Sequence, residues 1–210
     1  MPTVRTINTS FAGGEVSAEM FGRIDLDKFR ASLAVCRNFI ALPHGPATNR
    51  PGFEFVRETK NNAVVSRLIP FSFNNEQTFA IEVGAGYFRF HTNGATLLYG
   101  AASAWVTATA YVVGDLRTNG GTTYYCTTAH TSGTFATDLA AGKWYAQPAT
   151  GEYEVPNAYA AADLMGIHYV QSADVLTLVH TGYAPAELRR YGATNWQLAT
   201  IVFGAPTNAP

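Results

Sequence analysis

Two histidines that flank an acid are the first residues whose types could do chemistry. His168 and His180 lie on either side of Asp174, and imidazole and carboxylate groups are common zinc ligands. The pattern predicts a hairpin that turns at residues 172–173 and pairs His168 with residue 177 or 178. The imidazoles would then be about 10 Å apart along the strands, too far to share a metal. We therefore expect hydrogen-bonded strand histidines and no metal site.

Other arrangements for catalysis are also missing from the sequence. It contains no phosphate-binding G-x-x-x-x-G-K-[ST], no G-x-G-x-x-G after a strand, no G-x-S-x-G elbow and no H-E-x-x-H. Glu76 and Asp174 occupy equivalent places in a repeat described below, and an acid beside a turn commonly accepts backbone N–H bonds. Cys36 lacks a partner base and is expected as a small apolar residue of a helix. We predict no catalytic residue, no cofactor and no enzymatic activity.

The charge balance limits the classes of partner. Lys and Arg number 14 and Asp and Glu number 15, so no basic field is present to hold nucleic acid. Arg supplies 11 of the 14 basic residues, and its planar guanidinium suits paired contacts with carboxylates across interfaces. This bias favours a subunit of an assembly. We expect Arg189-Arg190 to pair with Asp163 between strands or subunits, the alternative being a solvated rim.

Cysteine usage and hydropathy favour a reduced compartment. Cys36 and Cys126 fall in different predicted modules, so we expect no disulfide between them. No apolar run approaches the roughly 18 to 20 residues that cross a bilayer, and the N-terminus lacks a basic and apolar leader. The sequence therefore predicts neither a membrane span nor a signal peptide.

An internal repeat organises much of the chain. Gly94-Ala95-Thr96 recurs 98 residues later as Gly192-Ala193-Thr194. At the same offset Ile69 falls on Ile167, Phe71 on Tyr169, Glu76 on Asp174, Ile81 on Val179 and Gly84 on Gly182. Both copies alternate apolar and polar residues between turn residues, which indicates a four-stranded antiparallel meander. In the first copy the pattern predicts strands over 68–73, 78–83 and 87–91, with a following turn at Asn93-Gly94. The alternative is that two meanders share a short turn sequence by chance.

A stretch of different composition separates the two copies. Residues 102–151 are rich in Thr, Gly, Ala and Tyr, which indicates an insertion. Without it the repeat shrinks to about 48 residues, close to a propeller blade. We predict a mainly all-β chain in three parts: an N-terminal segment with a first blade-like meander (1–101), a small β module (102–151) and a second blade-like meander (152–210).

The N-terminal 60 residues do not join the repeat. Apolar spacing among charges predicts a short helix over 25–35, followed by a strand over 38–42. Prolines and glycines predict a turn-rich loop over 44–52, after which β alternation resumes at 53–56.

Several motifs in this order resemble the opening of the tail nozzle, or tail tubular, proteins of short-tailed bacteriophages. The residues that carry the resemblance are Asn8-Thr9-Ser10-Phe11-Ala12-Gly13-Gly14-Glu15, Phe21-Gly22-Arg23-Ile24-Asp25, Gly45-Pro46-Ala47-Thr48-Asn49-Arg50-Pro51-Gly52 and Ile167-His168-Tyr169-Val170-Gln171. The resemblance covers the N-terminal portion of longer proteins and implies a propeller-containing subunit. Such a subunit forms a hexameric ring in the virion tail, contacts the tail adaptor and tail fibre or spike proteins, and lets DNA pass without specific binding. By this resemblance the protein is made in the host bacterial cytoplasm.

The insertion resembles a different family, the small chitin-binding carbohydrate-binding modules. The residues concerned are Ala104-Trp105, Ala110-Tyr111, Gly121-Thr122-Thr123-Tyr124-Tyr125-Cys126 and Trp144. The resemblance implies that Trp144, with Phe135 and Tyr145, contacts a surface glycan through an exposed ring. Trp105, Tyr111, Tyr124 and Cys126 are expected to build the module core.

Two hypotheses follow. The first is a structural conduit subunit of a phage tail that also serves as a platform for tail fibres. The alternative is a carbohydrate-binding protein that contacts host surface glycans through the inserted module. A lytic enzyme, a third possibility, finds no support in paired carboxylates.

Overall fold

The computed structural model describes residues 7–72 and 78–204. The chain forms two compact units, Met1–Glu54 and Phe55–Pro210. Within the described ranges strands dominate and the two α-helices are only four and six residues long, which confirms the mainly β class. No helix in this part of the chain is long and apolar enough to cross a membrane.

The first unit consists of very short elements. A parallel pair joins β1 to β2 and an antiparallel hairpin joins β3 to β4. The elements are β1 (Gly14–Glu15), a 3₁₀ turn (Ala18–Met20), α1 (Asp27–Arg30), β2 (Ser32–Leu33), β3 (Phe39–Ala41) and β4 (Ala47–Asn49).

Four local predictions for this region need correction. The helix expected over 25–35 is a single turn, because Ser32 and Leu33 pair with β1 instead. Cys36 consequently lies in a loop rather than in a helix. The loop expected over 44–52 contains β4, which pairs with β3, and residues 53–56 form no strand.

The second unit contains a first sheet whose fourth strand is assembled from two distant segments. Strands β5 (Arg67–Ser72), β6 (Thr78–Gly84) and β7 (Tyr87–Thr92) form an antiparallel meander, as predicted. The other edge of β7 pairs with two segments in succession, β8 (Ala95–Thr96) and β15 (Glu154–Pro156).

The two segments of that fourth strand are in register. The Leu97 N–H donates to the Phe90 carbonyl, and Glu154 lies opposite Arg89, the preceding residue of β7. The chain therefore leaves the sheet after Leu97 and returns at Glu154 in the next position of the same strand. This places β15 in the first sheet, whereas the sequence assigned it to the second meander.

The second sheet is a four-stranded antiparallel meander in chain order, as the repeat predicts. It contains β16 (His168–Ser172), β17 (Val175–His180), β18 (Tyr183–Gly192) and β19 (Asn195–Thr200). The 98-residue offset does not preserve strand register, however. Ile81 is buried opposite Phe90, but its counterpart Val179 is 40% exposed and pairs with His168. The two sheets thus share topology rather than an identical pattern of facing residues.

The inserted module has its own strands and its own small core. Its elements are β9 (Ser103–Ala104), β10 (Ala110–Tyr111), β11 (Leu116–Asn119), β12 (Thr122–Cys126), β13 (His130–Thr131), α2 (Phe135–Ala140) and β14 (Trp144–Ala146). Tyr111, Cys126 and Trp144 are buried at its centre, and Trp105 and Tyr124 pack against them. The predicted core roles of Trp105, Tyr111, Tyr124 and Cys126 are confirmed.

Trp196 lies in a hydrophobic core that the two sheets share and to which the module contributes Tyr125. The fully buried indole of this β19 residue stacks on Phe90 with ring centroids 4.5 Å apart and meets Phe71 edge-on at 4.9 Å. Two tyrosine hydroxyls reach its backbone: Tyr125 Oη, from the module, donates to the Trp196 carbonyl at 2.8 Å, and Tyr153 Oη, from the segment that follows the module, accepts from the Trp196 N–H at 3.0 Å. The module is therefore fixed to the sheets by buried contacts.

Candidate functional site

Trp144, the residue expected to stack on sugar, lies inside the module core. Its side chain is 4% exposed. Its ring centroid lies 5.2 Å from that of Tyr111, 5.6 Å from that of His130 and 6.3 Å from that of Phe135. Stacking on a sugar needs an open ring face. The structure does not show the expected exposed platform at Trp144, because neighbouring rings cover it, and sugar binding stays a prediction.

Phe135 and Tyr145, the other two expected sugar contacts, lie in different clusters. Phe135 begins α2 and is partly buried, with its ring edge-on to Trp105 at 5.5 Å and to Tyr124 at 4.8 Å. Tyr145 follows Trp144 in β14 and points away from it, since successive strand residues face opposite sides. Its hydroxyl donates to Glu154 Oε2 at 2.7 Å. The structure therefore brings Phe135 and Trp144 together and separates Tyr145 from them.

The module core contains polar atoms without partners. Among the described residues, Trp105 Nε1 and Trp144 Nε1 are buried and make no hydrogen bond, and His130 Nε2 is buried with only the Asp138 carboxylate near it, at 3.5 Å. An indole N–H can only donate, and a buried donor without an acceptor costs about 1–3 kcal/mol. The two indole N–H groups are covered by neighbouring rings and are not open to an external acceptor in this conformation.

Cys126, His130 and Asp138 lie in the order of a nucleophilic triad but cannot act as one. Cys126 Sγ lies 3.9 Å from His130 Nδ1, and His130 Nε2 lies 3.5 Å from Asp138 Oδ2. However, His130 Nδ1 donates to the Thr128 carbonyl at 2.7 Å, so it cannot take a proton from the thiol. Burial also raises the pKa of the Cys126 thiol to about 11, whereas a nucleophilic cysteine needs a lowered one.

Asp138 instead organises the turn around α2. Lys143 Nζ donates to Asp138 Oδ1 at 2.9 Å and the Gly133 N–H donates to Oδ2 at 3.0 Å. The hydrogen bond from Lys143, with that from Gly133, lowers the pKa of Asp138. This carboxylate is a structural anchor.

The histidines and the arginine pair considered from the sequence are placed differently than expected. His168 lies opposite Val179 because the hairpin turns at 173–174, one residue later than predicted. Among residues 7–72 and 78–204, no group of three or more His, Cys, Asp and Glu is placed to hold a metal.

The structure gives Asp163 and Arg189 other partners within the chain, and a pair between subunits stays a prediction. Asp163 Oδ2 accepts from the Tyr183 hydroxyl at 2.7 Å, and Arg189 pairs with Glu187 at 2.6 Å. Arg190 Nη1 lies 3.5 Å from Asp174 Oδ1, while Glu76 lies outside the described residues.

Sequence reasoning missed a row of buried charges across the first sheet, here called the charged row: Glu82 on β6, Arg89 on β7 and Glu154 on β15. These residues lie directly opposite one another and are 2%, 5% and 0% exposed. Arg89 Nε donates to Glu154 Oε1 at 2.7 Å. The face of the sheet that carries them is opposite to the one that holds Phe90 and Ile81, because side chains alternate along each strand.

Further groups satisfy both carboxylates of the charged row. Tyr87 Oη donates to Glu82 Oε1 at 2.5 Å, and His91 Nε2 lies 3.3 Å from Glu82 Oε2. Lys60 Nζ donates to Glu154 Oε2 at 2.7 Å, the oxygen that Tyr145 also contacts. Each buried acid thus has at least two hydrogen-bond partners, as a charge out of water requires.

The surroundings of Glu82 favour its ionised form. Burial by itself raises the pKa of Glu82, but hydrogen bonds from His91 and Tyr87 outweigh it and hold the pKa below the usual 4.5. The same balance lowers the pKa of Glu152, whose hydrogen bonds and ion pair with Arg57 outweigh its burial. General acid catalysis needs a raised carboxyl pKa. These acids therefore fit a structural role and not proton transfer.

A sequence signal for the charged row existed in the strand pattern. Charges sit between core residues in three segments: Ile81-Glu82-Val83, Phe88-Arg89-Phe90 and Tyr153-Glu154-Val155. Opposite charges at facing positions of neighbouring strands would have indicated a paired face. The pairing of Glu154 with β7 could not be foreseen, because β15 reaches that edge only after the whole insertion.

A comparison of the chain with protein-family profiles and with curated protein sequences finds no match.

Proposed function

We propose that this protein is a structural subunit of a bacteriophage tail, a nozzle or hub subunit of the channel through which the genome leaves and a platform for tail fibres. The proposal rests on the ordered sequence motifs and on one observation in the first unit. No apolar side chain of residues 7–54 is buried. A segment of this length without a core of its own gains almost no hydrophobic stabilisation.

Large apolar side chains are instead open to solvent along the first unit. Those more than two-fifths exposed are Ile7, Phe21, Ile24, Val35, Phe39, Ile40 and Phe53. Protein interfaces commonly gather exposed apolar side chains of this kind. In our proposal neighbouring subunits and the tail adaptor cover it in the virion.

The two meanders support a further part of the proposal, namely that they are adjacent blades of a propeller-like wall. Both run in chain order with four antiparallel positions, and both contribute to the core around Trp196. Two blades cannot close a ring, since propellers have about four to eight. The remaining surfaces would be completed by other subunits or by further chain, and DNA would pass a near-neutral wall without specific binding.

Ring formation tests this function directly. The purified full-length protein is examined by negative-stain microscopy and by light scattering after size exclusion, and we expect a closed homo-oligomer, six-fold by the resemblance. Phe21→Asp and Phe39→Asp should dissociate it, whereas Val106→Asp, an equally apolar and exposed change in the module, should not. A protein that stays monomeric at high concentration would count against the proposal.

A second candidate is glycan binding by the inserted module, which its sequence resemblance suggests; the buried and unpartnered indole N–H groups of Trp105 and Trp144 would donate to a sugar once the covering rings move aside. Sugar hydroxyls are acceptors for such donors. Trp105→Phe keeps an aromatic ring and removes the N–H. On a glycan array we expect this variant to lose signal, while Tyr191→Phe, at an exposed site outside the module, keeps it. Equal signals from the wild type and Trp105→Phe would exclude this use of the module.

A further inference from the structure

Residues 55–60, here called the strap, lie against the charged row without forming a strand. They follow the boundary between the two compact units directly and precede β5 by six residues. The strap lines a cavity of about 510 Å³ together with Arg89, Thr150 and Glu152. Its side chains therefore face the buried charges of the sheet.

The strap is held to the sheet by charge. Arg57 forms an ion pair with Glu152, which is 1% exposed, and Lys60 Nζ pairs with the fully buried Glu154 at 2.7 Å. Lys60 also lies over the ring of Tyr87, 4.9 Å from its centroid. The strap supplies two of the cations that neutralise the buried acids.

Apolar packing contributes little to holding the strap. Phe55 is 77% exposed and Val56 is 41% exposed. Besides the cavity already described, a second of about 340 Å³ separates Val56 and Thr59 from Glu82 and His91. A third, of about 380 Å³, is lined by Lys60 and Tyr87 with Val64 and Val65. Cavities border the strap on several sides, so it covers the sheet without close packing.

We propose that the strap is a releasable clasp, closed by the Arg57–Glu152 and Lys60–Glu154 ion pairs, that sets the free length of chain between the two units. When it is closed, the chain after Glu54 is fixed on the sheet. When it opens, residues 55–66 become a tether that spans up to about 40 Å. The proposal does not depend on the tail function, since it concerns the folding unit of this chain alone.

Partial exposure of the two cations makes such release feasible. The Arg57 and Lys60 side chains are 37% and 40% exposed, so water and salt reach them while their acids stay buried. After release Glu154 keeps Arg89 and Tyr145, and Glu152 keeps Thr150. The sheet therefore retains partners for its acids when the strap leaves.

Limited proteolysis of the intact protein by chymotrypsin tests the clasp, because the protease must draw several residues of free chain into its active site before it cuts after Phe55. The double variant Arg57→Gln/Lys60→Gln is compared with the wild type, and cleavage after Phe55 should be at least about tenfold faster, since a charged hydrogen bond is worth about a factor of ten or more. Cleavage within β6 and β7 should be unchanged. The matched control is Lys143→Gln, which removes another lysine from a buried acid, Asp138, and should leave the strap unaffected.

Two results would overturn the proposal. One is unchanged cleavage after Phe55 in the folded double variant, and the other is equal acceleration of cleavage in the strap and in β6, which means global unfolding. If the double variant does not fold, wild-type cleavage is measured at about 0.05 M and 1 M NaCl, where screening differs severalfold. Faster cleavage of the strap alone at high salt supports the clasp, and salt-independent cleavage rejects it.

Discussion

Replacement of Arg89 by Met should strongly destabilise the second unit. Arg89 is 5% exposed and lies between Glu82 and Glu154. Met fills much of the same volume but leaves both carboxylates without their shared cation. Removal of one partner from a buried ion pair typically costs about 3–5 kcal/mol. Because Glu154 keeps Lys60 and Glu82 keeps Tyr87, we expect a loss near the lower end, about 3 kcal/mol.

Urea unfolding followed by tryptophan fluorescence measures this loss. All three tryptophans of the chain, Trp105, Trp144 and Trp196, lie in the second unit, so the signal reports the unit that contains Arg89. The control is Arg189→Met, which removes an arginine that is 46% exposed from its pair with Glu187 and should cost under about 1 kcal/mol.

A second substitution separates charge from packing. Arg89→Met/Glu154→Met removes a buried pair together and leaves Lys60 free to reach solvent, so the double variant should recover about 1–2 kcal/mol of the loss. A single variant that loses less than about 1 kcal/mol, or a double variant less stable than both singles combined, would refute the view that the row is a coupled set of buried charges.

Three further predictions follow from the described contacts. Stability of the second unit should fall as the pH drops below about 4.5, because the pKa of Glu82 is lowered from 4.5 in the folded state. The stabilisation by this carboxylate is present above that pH and is lost as the carboxyl group protonates. Glu82→Gln should flatten this part of a pH series of urea midpoints. In thermal unfolding, Tyr153→Phe should lower the stability by about 1–3 kcal/mol and Tyr125→Phe by about 0.5–1.5 kcal/mol. Tyr153→Phe leaves the Trp196 N–H without its acceptor, whereas after Tyr125→Phe the Trp196 carbonyl keeps the Tyr153 hydroxyl as a donor at 3.3 Å. In the native protein Ellman's reagent should titrate Cys36 alone, since both thiols are free but Cys126 is fully buried with a pKa of about 11; two rapid thiols before denaturant is added would contradict the burial.

Strand positions were predictable where alternation and turn residues agree. The strands expected over 68–73, 78–83 and 87–91 match β5, β6 and β7 to within a residue at the described ends. The turn at Asn93-Gly94 is also as expected, with both residues at positive φ, a backbone that favours this dipeptide between paired strands. Local chemistry was sufficient there.

Features that depend on distant partners were not predictable. A sequence shows that Glu154 follows an insertion, but not that it continues a strand begun at Ala95. It shows an aromatic at Trp144, but not that Tyr111, His130 and Phe135 cover its ring. Burial of a polar or aromatic side chain is decided by the tertiary neighbours, and a single sequence does not contain them.

The divided fourth strand also orders the events of folding. While the chain is being made, β7 can accept Ala95 and Leu97 at once, but its remaining edge stays open until everything up to Glu154 has been synthesised. An open strand edge of this kind pairs readily with foreign chains. If the module folds first, its ends come together at Leu98 and Glu152, which form a bridge, and little loop entropy is left to lose when the last segment docks. Early maturation of the inserted part would thus protect the nascent sheet from aggregation.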